Sequence, residues 1–187
     1  VNTANSVILD GVYPANSLYK KRTLDEQGHT TIEITDKLGR LVQKQVQKDE
    51  VGGYLPTYYC YDGLGRVRAI IPPLAYDLNQ SINATDANHN ELIFAFEYDN
   101  RGRLIREDIP GAGERYSVYD KADRIVMQQD AVQRETGKWN FTKYDAFDRE
   151  VMKGETGTIG QTQSYWASLF TSHFTPNEVW GSGGYSG

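Results

Sequence analysis

One cysteine stands in the whole chain, Cys60, so no intramolecular disulfide can form and no metal site of the paired-cysteine kind is on offer. Basic residues are short as well: 20 Lys and Arg against 25 Asp and Glu leave a net charge of −5 and a pI near 5.2. A nucleic-acid partner needs a basic stripe to meet its phosphates, and the only basic run, Lys20-Lys21-Arg22, reads as a solvated turn. No apolar stretch approaches the length of a membrane span and no signal peptide opens the sequence, so membrane insertion is not expected. The three histidines, His29, His89 and His173, and the lone Cys60 show no nucleophile-and-base pattern. Cys60 lies in an aromatic stretch and reads as a small core residue. The expectation is a chain that is not an enzyme and takes no cofactor.

What the chain has in quantity is tyrosine and glycine, 13 and 18 residues, with 39% hydrophobic residues overall. That mixture suits many short strands and tight turns better than a helical bundle, and 187 residues suffice for a real core. The fold class is therefore all-β. One pattern organises it, written Tyr-Asp, two free residues, Gly or Asp, then Arg. It occurs at Tyr61-Asp62 with Gly65-Arg66, Tyr98-Asp99 with Gly102-Arg103, Tyr119-Asp120 with Asp123-Arg124, and Tyr144-Asp145 with Asp148-Arg149. A variant with Thr35 in the tyrosine place, Asp36 with Gly39-Arg40, makes five copies.

Asp, two residues and Gly is the chemistry of a type I turn followed by a residue of positive φ, which closes a hairpin through a bulge. The Asp side chain caps the turn through backbone N–H groups, and Gly enters the left-handed region without a Cβ clash. Asp123 and Asp148 replace that Gly in two copies, and Asp is among the few other residues that tolerate the conformation. The turn sets Asp and Arg of each copy against each other at the hairpin mouth, as an ion pair within the repeat. One step outward Tyr61 faces Val67, Tyr98 faces Leu104 and Tyr119 faces Ile125, while Glu150 opposite Tyr144 breaks the apolar rule; such pairs fix register. The motif aspartates 36, 62, 99, 120 and 145 lie 26, 37, 21 and 25 residues apart. A unit of that length cannot bury a face alone, so the hairpins must stack into an extended, curved, open antiparallel sheet.

These residues resemble the tyrosine-aspartate (YD) repeats of the RHS family of bacterial surface and secreted proteins. The run from Ile109-Pro110-Gly111-Ala112-Gly113 to Tyr144-Asp145-Ala146 resembles its long members in particular. The resemblance covers about residues 30 to 155. It implies a cell-surface or secreted protein, a piece of a longer parent chain whose further repeats build a shell-like assembly, and a C-terminal cargo that the shell wraps or displays. Longer members carry an aspartate autoprotease segment with an Asp-Pro motif. This chain has no Asp-Pro dipeptide, so that activity does not carry over.

In chain order, residues 1–29 read as lead-in strands, 30–155 as the repeat domain and 156–187 as an extension with a flexible Gly/Ser-rich tail. Residues 74–90 form one long Asn- and Asp-rich connection with room for a short helix, and Glu91 to Tyr98 alternates so that Leu92, Phe94, Phe96 and Tyr98 share a face. Apolar residues on both surfaces, such as Tyr116, Val118 and Val126 away from Tyr119, require a cover on each face.

Two ligand classes suit particular residues. Asp86, Asn88 and Asn90, with Glu97 at the twelfth place, are spaced like oxygen ligands of a calcium loop, although Glu91 occupies the place of its turn glycine. A plain polar loop is the favoured reading of them, so no metal is expected. Exposed aromatics stacked along a sheet can hold the apolar faces of glycans, and Trp139, Tyr116, Tyr58 and Tyr59 are the candidates; core packing is the competing reading for each. Sugar hydrolysis by paired motif aspartates is disfavoured, because each already has an arginine and a turn to serve. A scaffolding module is the leading expectation, a glycan-binding surface the alternative.

Overall fold

A computed structural model of the chain describes residues 13–48, 53–77, 91–157, 160–172, 179–181 and 184–186. Its strands are β1 (Leu18–Leu24), β2 (Thr30–Asp36), β3 (Leu41–Gln47), β4 (Tyr54–Tyr61), β5 (Val67–Ile71), β6 (Phe94–Tyr98), β7 (Leu104–Ile109), β8 (Gly113–Tyr119), β9 (Ile125–Gln129), β10 (Lys138–Tyr144), β11 (Glu150–Gly157), β12 (Val179–Gly181) and β13 (Gly184–Ser186). Among the described residues three helices accompany them: α1 (Pro73–Asp77), α2 (Ala131–Thr136) and α3 (Gln163–Ser172). The fold is all-β, an antiparallel meander of stacked hairpins in which each of β1 to β11 lies beside its chain neighbour, while β12 and β13 pair as a separate sheet. Two compact units are distinguished, Val1–Phe96 with Ile109–Gly111, and Glu97–Asp108 with Ala112–Gly187.

In the first unit, β1 is the outer strand and is exposed throughout, with Lys20, Lys21 and Arg22 along it. Charge on an outer strand discourages pairing with other chains. The basic run read as a turn is thus part of an edge strand. Ala69, Ile71, Ala75 and Ile93 form the core, with Tyr58, Cys60 and Leu92 packed against them. Helix α1 lies in the connection where the sequence leaves room for one, and it brings Ala75 and Tyr76 to β4. Strand β6 begins only at Phe94. Ile93, not Leu92, is the deeply buried member there, because residues 91–93 turn before the strand alternation starts.

In the second unit, Val118 pairs with Met127 and Phe141 with the same Met127, giving one apolar face across β8, β9 and β10. Helix α3 covers that face. Trp166 and Phe170 pack against Val118, Val126, Met127 and Trp139, and Gln163 Nε2 donates to Ser117 O at 3.2 Å. This is the cover that two-sided apolar strands demand, and it comes from the extension after the repeats. Helix α2, which bridges β9 to β10, was not anticipated. Its start is a capping box in which Asp130 accepts from Gln133 N and Gln133 Oε1 accepts from Asp130 N. Its end is Gly137 at φ 66°. In the C-terminal extension, Val179–Gly181 and Gly184–Ser186 pair as two short antiparallel strands.

Trp139 is 1% exposed and touches both the sheet face and the ring of Trp166, at 6.4 Å between centroids. Trp139→Ala removes the largest side chain in this core, and the expected loss is about 3–5 kcal/mol. Urea unfolding monitored by circular dichroism measures it, and a loss below about 1 kcal/mol is incompatible with the packing described.

Candidate functional site

All five motif turns share one geometry. The N–H of Asp36, Asp62, Asp99, Asp120 or Asp145 donates to the carbonyl of its own Arg at 2.9–3.0 Å. The residue after the two free positions then stands at positive φ: Gly39 at 80°, Gly65 at 81°, Gly102 at 83°, Asp123 at 64° and Asp148 at 61°. In each copy the Asp Oδ1 accepts two backbone N–H bonds, from the residue two on and from the Arg. Its Oδ2 accepts Nε of the same Arg at 2.6–2.8 Å. The register slips by one residue next to the turn, between Ile34 and Thr35, Cys60 and Tyr61, Val118 and Tyr119, and Lys143 and Tyr144. That is the bulge the turn chemistry requires. Tyr61 therefore pairs with Val67, Tyr119 with Ile125 and Tyr144 with Glu150.

At four of the motif aspartates burial raises the carboxyl pKa, but the backbone N–H and guanidinium of each one's own Arg, together with the second N–H, outweigh it. Asp36, Asp62, Asp99 and Asp145 are held below the ordinary value of 3.8.

The same arginine has a second task that the sequence did not disclose. Its guanidinium lies over the tyrosine ring of the following repeat: Arg40 over Tyr61 at 4.9 Å, Arg103 over Tyr119 and Arg124 over Tyr144 at 4.7 Å. Each tyrosine hydroxyl donates back to the carbonyl just after that arginine, Tyr61 to Leu41 at 2.8 Å, Tyr119 to Leu104 and Tyr144 to Ile125 at 2.9 Å. Arg103 Nη1 also donates to Asp120 O at 3.0 Å and Arg124 Nη1 to Asp145 O at 3.3 Å. A ring face, a hydroxyl and a guanidinium thus make one joint between successive hairpins, as at Arg40–Tyr61, Arg103–Tyr119 and Arg124–Tyr144.

The two aspartates in the glycine place belong to this joint. Arg103 Nη1 meets Asp123 Oδ1 and Arg124 Nη1 meets Asp148 Oδ1, both at 2.8 Å, and Arg101 Nη2 adds a bond to Asp123 Oδ2 at 2.7 Å. Where glycine is kept, the backbone itself lies beside the preceding arginine: a Cβ on Gly65 would sit 3.7 Å from Arg40 Nη1.

No family model matches the chain, and no curated protein does. Among solved structures it is similar to a chain of the Photorhabdus luminescens Tc holotoxin pore, with a TM-score of 0.57 and 20% identity over 75% of this chain. It is similar also to the TcdB2-TccC3 structure, at a TM-score of 0.57 and 20% identity over 73%, and to TcdB2-TccC3 without its hypervariable C-terminal region, at a TM-score of 0.56. The chain shares its fold with a part of those toxin chains. The aligned stretch spans 6% of each of those toxin chains.

Outside the YD joints, the described residues singled out for ligands have other engagements. Trp139 is buried against Trp166 and presents no face to a sugar, because α3 covers its strand. Tyr116 is half-buried, donates to Glu114 Oε2 at 2.9 Å and lies under Arg134 at 5.3 Å. In the first unit Tyr58 packs on Tyr76 at 4.9 Å, and burial with the Tyr76 hydroxyl pushes its phenol up to about 12. Tyr59 is half-buried opposite Ile70, on the other face of β4. Asp86, Asn88, Asn90, His89 and His173 lie outside the described residues. Glu97 is committed to Arg106 Nη1 at 2.7 Å, and Arg106 Nε also donates to Glu114 at 2.9 Å. Burial raises the Cys60 thiol above its ordinary pKa, which disfavours a reactive thiolate. His29 is exposed beside Asp25 at 3.3 Å.

Two outcomes follow from the YD geometry. Tyr144→Phe keeps the ring under Arg124 and deletes one hydrogen bond, for an expected loss of about 0.5–1.5 kcal/mol in urea unfolding. Acid behaviour follows from the lowered aspartates: their stabilisation is fully present above the unfolded value of 3.8 and disappears as pH falls through the lower folded values. Unfolding free energy is expected to fall as pH drops below about 4, and Asp99→Asn to be less stable at neutral pH with a shallower acid loss. Parallel acid titrations of the two proteins by circular dichroism test this; identical slopes would refute it.

Proposed function

We propose that this chain is a non-enzymatic structural repeat module of a longer RHS-type protein, at the bacterial cell surface or secreted, whose repeats scaffold or enclose a C-terminal cargo. One observation carries the reading. At the three joints the tyrosine, aspartate and arginine of the motif are all engaged in closing turns and locking successive hairpins, so the motif chemistry is spent on architecture. The fold shared with chains of toxin complexes supports it, and the match spans 6% of their length, as a module within a longer chain would. One of those structures is described by its lack of a hypervariable C-terminal region, which fits a constant scaffold followed by a variable segment.

A glycan-binding surface is the second reading. It draws on Tyr59 and Tyr116, which keep part of their rings in solvent, but Tyr116 already has a carboxylate and a guanidinium as partners. A glycan array probed with the folded chain decides between the two. Silence is expected, whereas binding that disappears in Tyr59→Ala or Tyr116→Ala, with the fold intact, would overturn the scaffold reading.

A further inference from the structure

Helix α3 is not sustained by its own sequence. Four of its ten residues are Ser or Thr, none is charged, and so neither end carries a charge that offsets the helix dipole. A helix of this length is unstable alone in water. Thr162 Oγ1 caps its start by accepting from Tyr165 N at 3.2 Å. Ser168 and Thr171 turn their hydroxyls back onto the preceding turn, donating to Tyr165 O at 2.7 Å and Ala167 O at 2.8 Å, which weakens a helix more than it supports it. Gln163 adds one neutral bond to Ser117 O. The helix therefore owes its form to the docking of Trp166 and Phe170 on β8, β9 and β10.

That docked contact is imperfect. Trp139 Nε1 and Trp166 Nε1 are both buried, and neither reaches an acceptor within the chain. The two rings meet edge to face with 6.4 Å between centroids, so both donors belong to the contact between α3 and the sheet. A buried donor without an acceptor costs free energy that is recovered when water reaches it. The ladders β8–β9, β9–β10 and β10–β11 do not run through α3. We infer that α3 is a releasable latch: it unfolds and lifts from the sheet as a unit of its own, hydrating both indoles, while the strands beneath stay paired. The lift bares an apolar face of Val118, Met127 and Trp139. It frees the extension that follows the repeats without unfolding the repeats themselves. The latch goes beyond the scaffold reading and does not depend on it.

Native-state hydrogen exchange of the full chain tests it, with α3 amides compared with those of β9 and β10. The α3 amides are expected to exchange at least about tenfold faster, through an opening that leaves β9 and β10 protected. Equal protection of helix and strands overturns the inference, because the helix then opens only with the whole fold. A second arm replaces Trp166, and in a separate protein Trp139, by benzothienylalanine, which keeps the shape of the ring and puts sulfur in place of the indole N–H. Each replacement deletes one unpartnered donor, and α3 protection is expected to rise about fivefold or more. Protection that falls or stays the same overturns the inference as well. The β9 and β10 amides in the same samples report that the fold survives, and should a replaced protein fail to fold, the comparison of helix with strands in the unaltered chain still decides.

Discussion

The guanidinium of the motif arginine is the group on which both the hairpins and their stacking depend. Through Nε it closes its own turn onto a carboxylate, and through Nη and its flat face it holds the next repeat's carbonyl and ring. Only a planar group with several fixed donors serves two partners at right angles; a lysine ammonium has neither the plane nor the fork. A solvated ion pair contributes little, with a median of about 0–1 kcal/mol. Here Arg124 and Asp120 are 10% and 2% exposed, and burial of a pair is favourable only when every polar atom is satisfied. The two backbone N–H bonds on each carboxylate and the extra carbonyl acceptors provide that satisfaction.

The departures from glycine make sense on the same terms. A non-glycine residue in the left-handed region costs roughly 1–2 kcal/mol, aspartate tolerating it better than most, and ion pairs with carboxylates as exposed as these return about 0–1 kcal/mol each, which offsets part of that cost. Asp123 takes two such bonds, from Arg101 and Arg103, and Asp148 takes one from Arg124. At Gly65 the preceding Arg40 is 30% exposed, so an aspartate would gain less and glycine suffices. A substitution that weakens the turn locally is kept where it tightens the joint.

Most of the architecture was legible because it is local. Asp-x-x-Gly states a turn, the turn states a bulge, and the bulge sets which residue faces Tyr61 or Tyr119. What was not legible is carried by contacts about 20 residues apart. The spacing announced that repeats stack, but not that Arg103 reaches forward to Tyr119 while still holding Asp99; the use of Asp twice in a glycine position was the one signal of that reach. Trp139 looked available because alternation assigns a side chain to a face without saying what lies on it, and α3 arrives from beyond the repeats. Helix α2 is six residues long, too short for a periodic pattern, though Asp130, Gln133 and Gly137 marked both ends.

Within a unit, a hairpin joined this way is fixed first by its neighbours. Stability is shared between joints and covers, and in the second unit the two meet. Val118 and Val126 adjoin the joint residues Tyr119 and Ile125, and the Tyr144 ring, held by Arg124, packs against the core that α3 covers. Loosening that joint therefore disturbs the covered core as well, and the helix that arrives from beyond the repeats secures both.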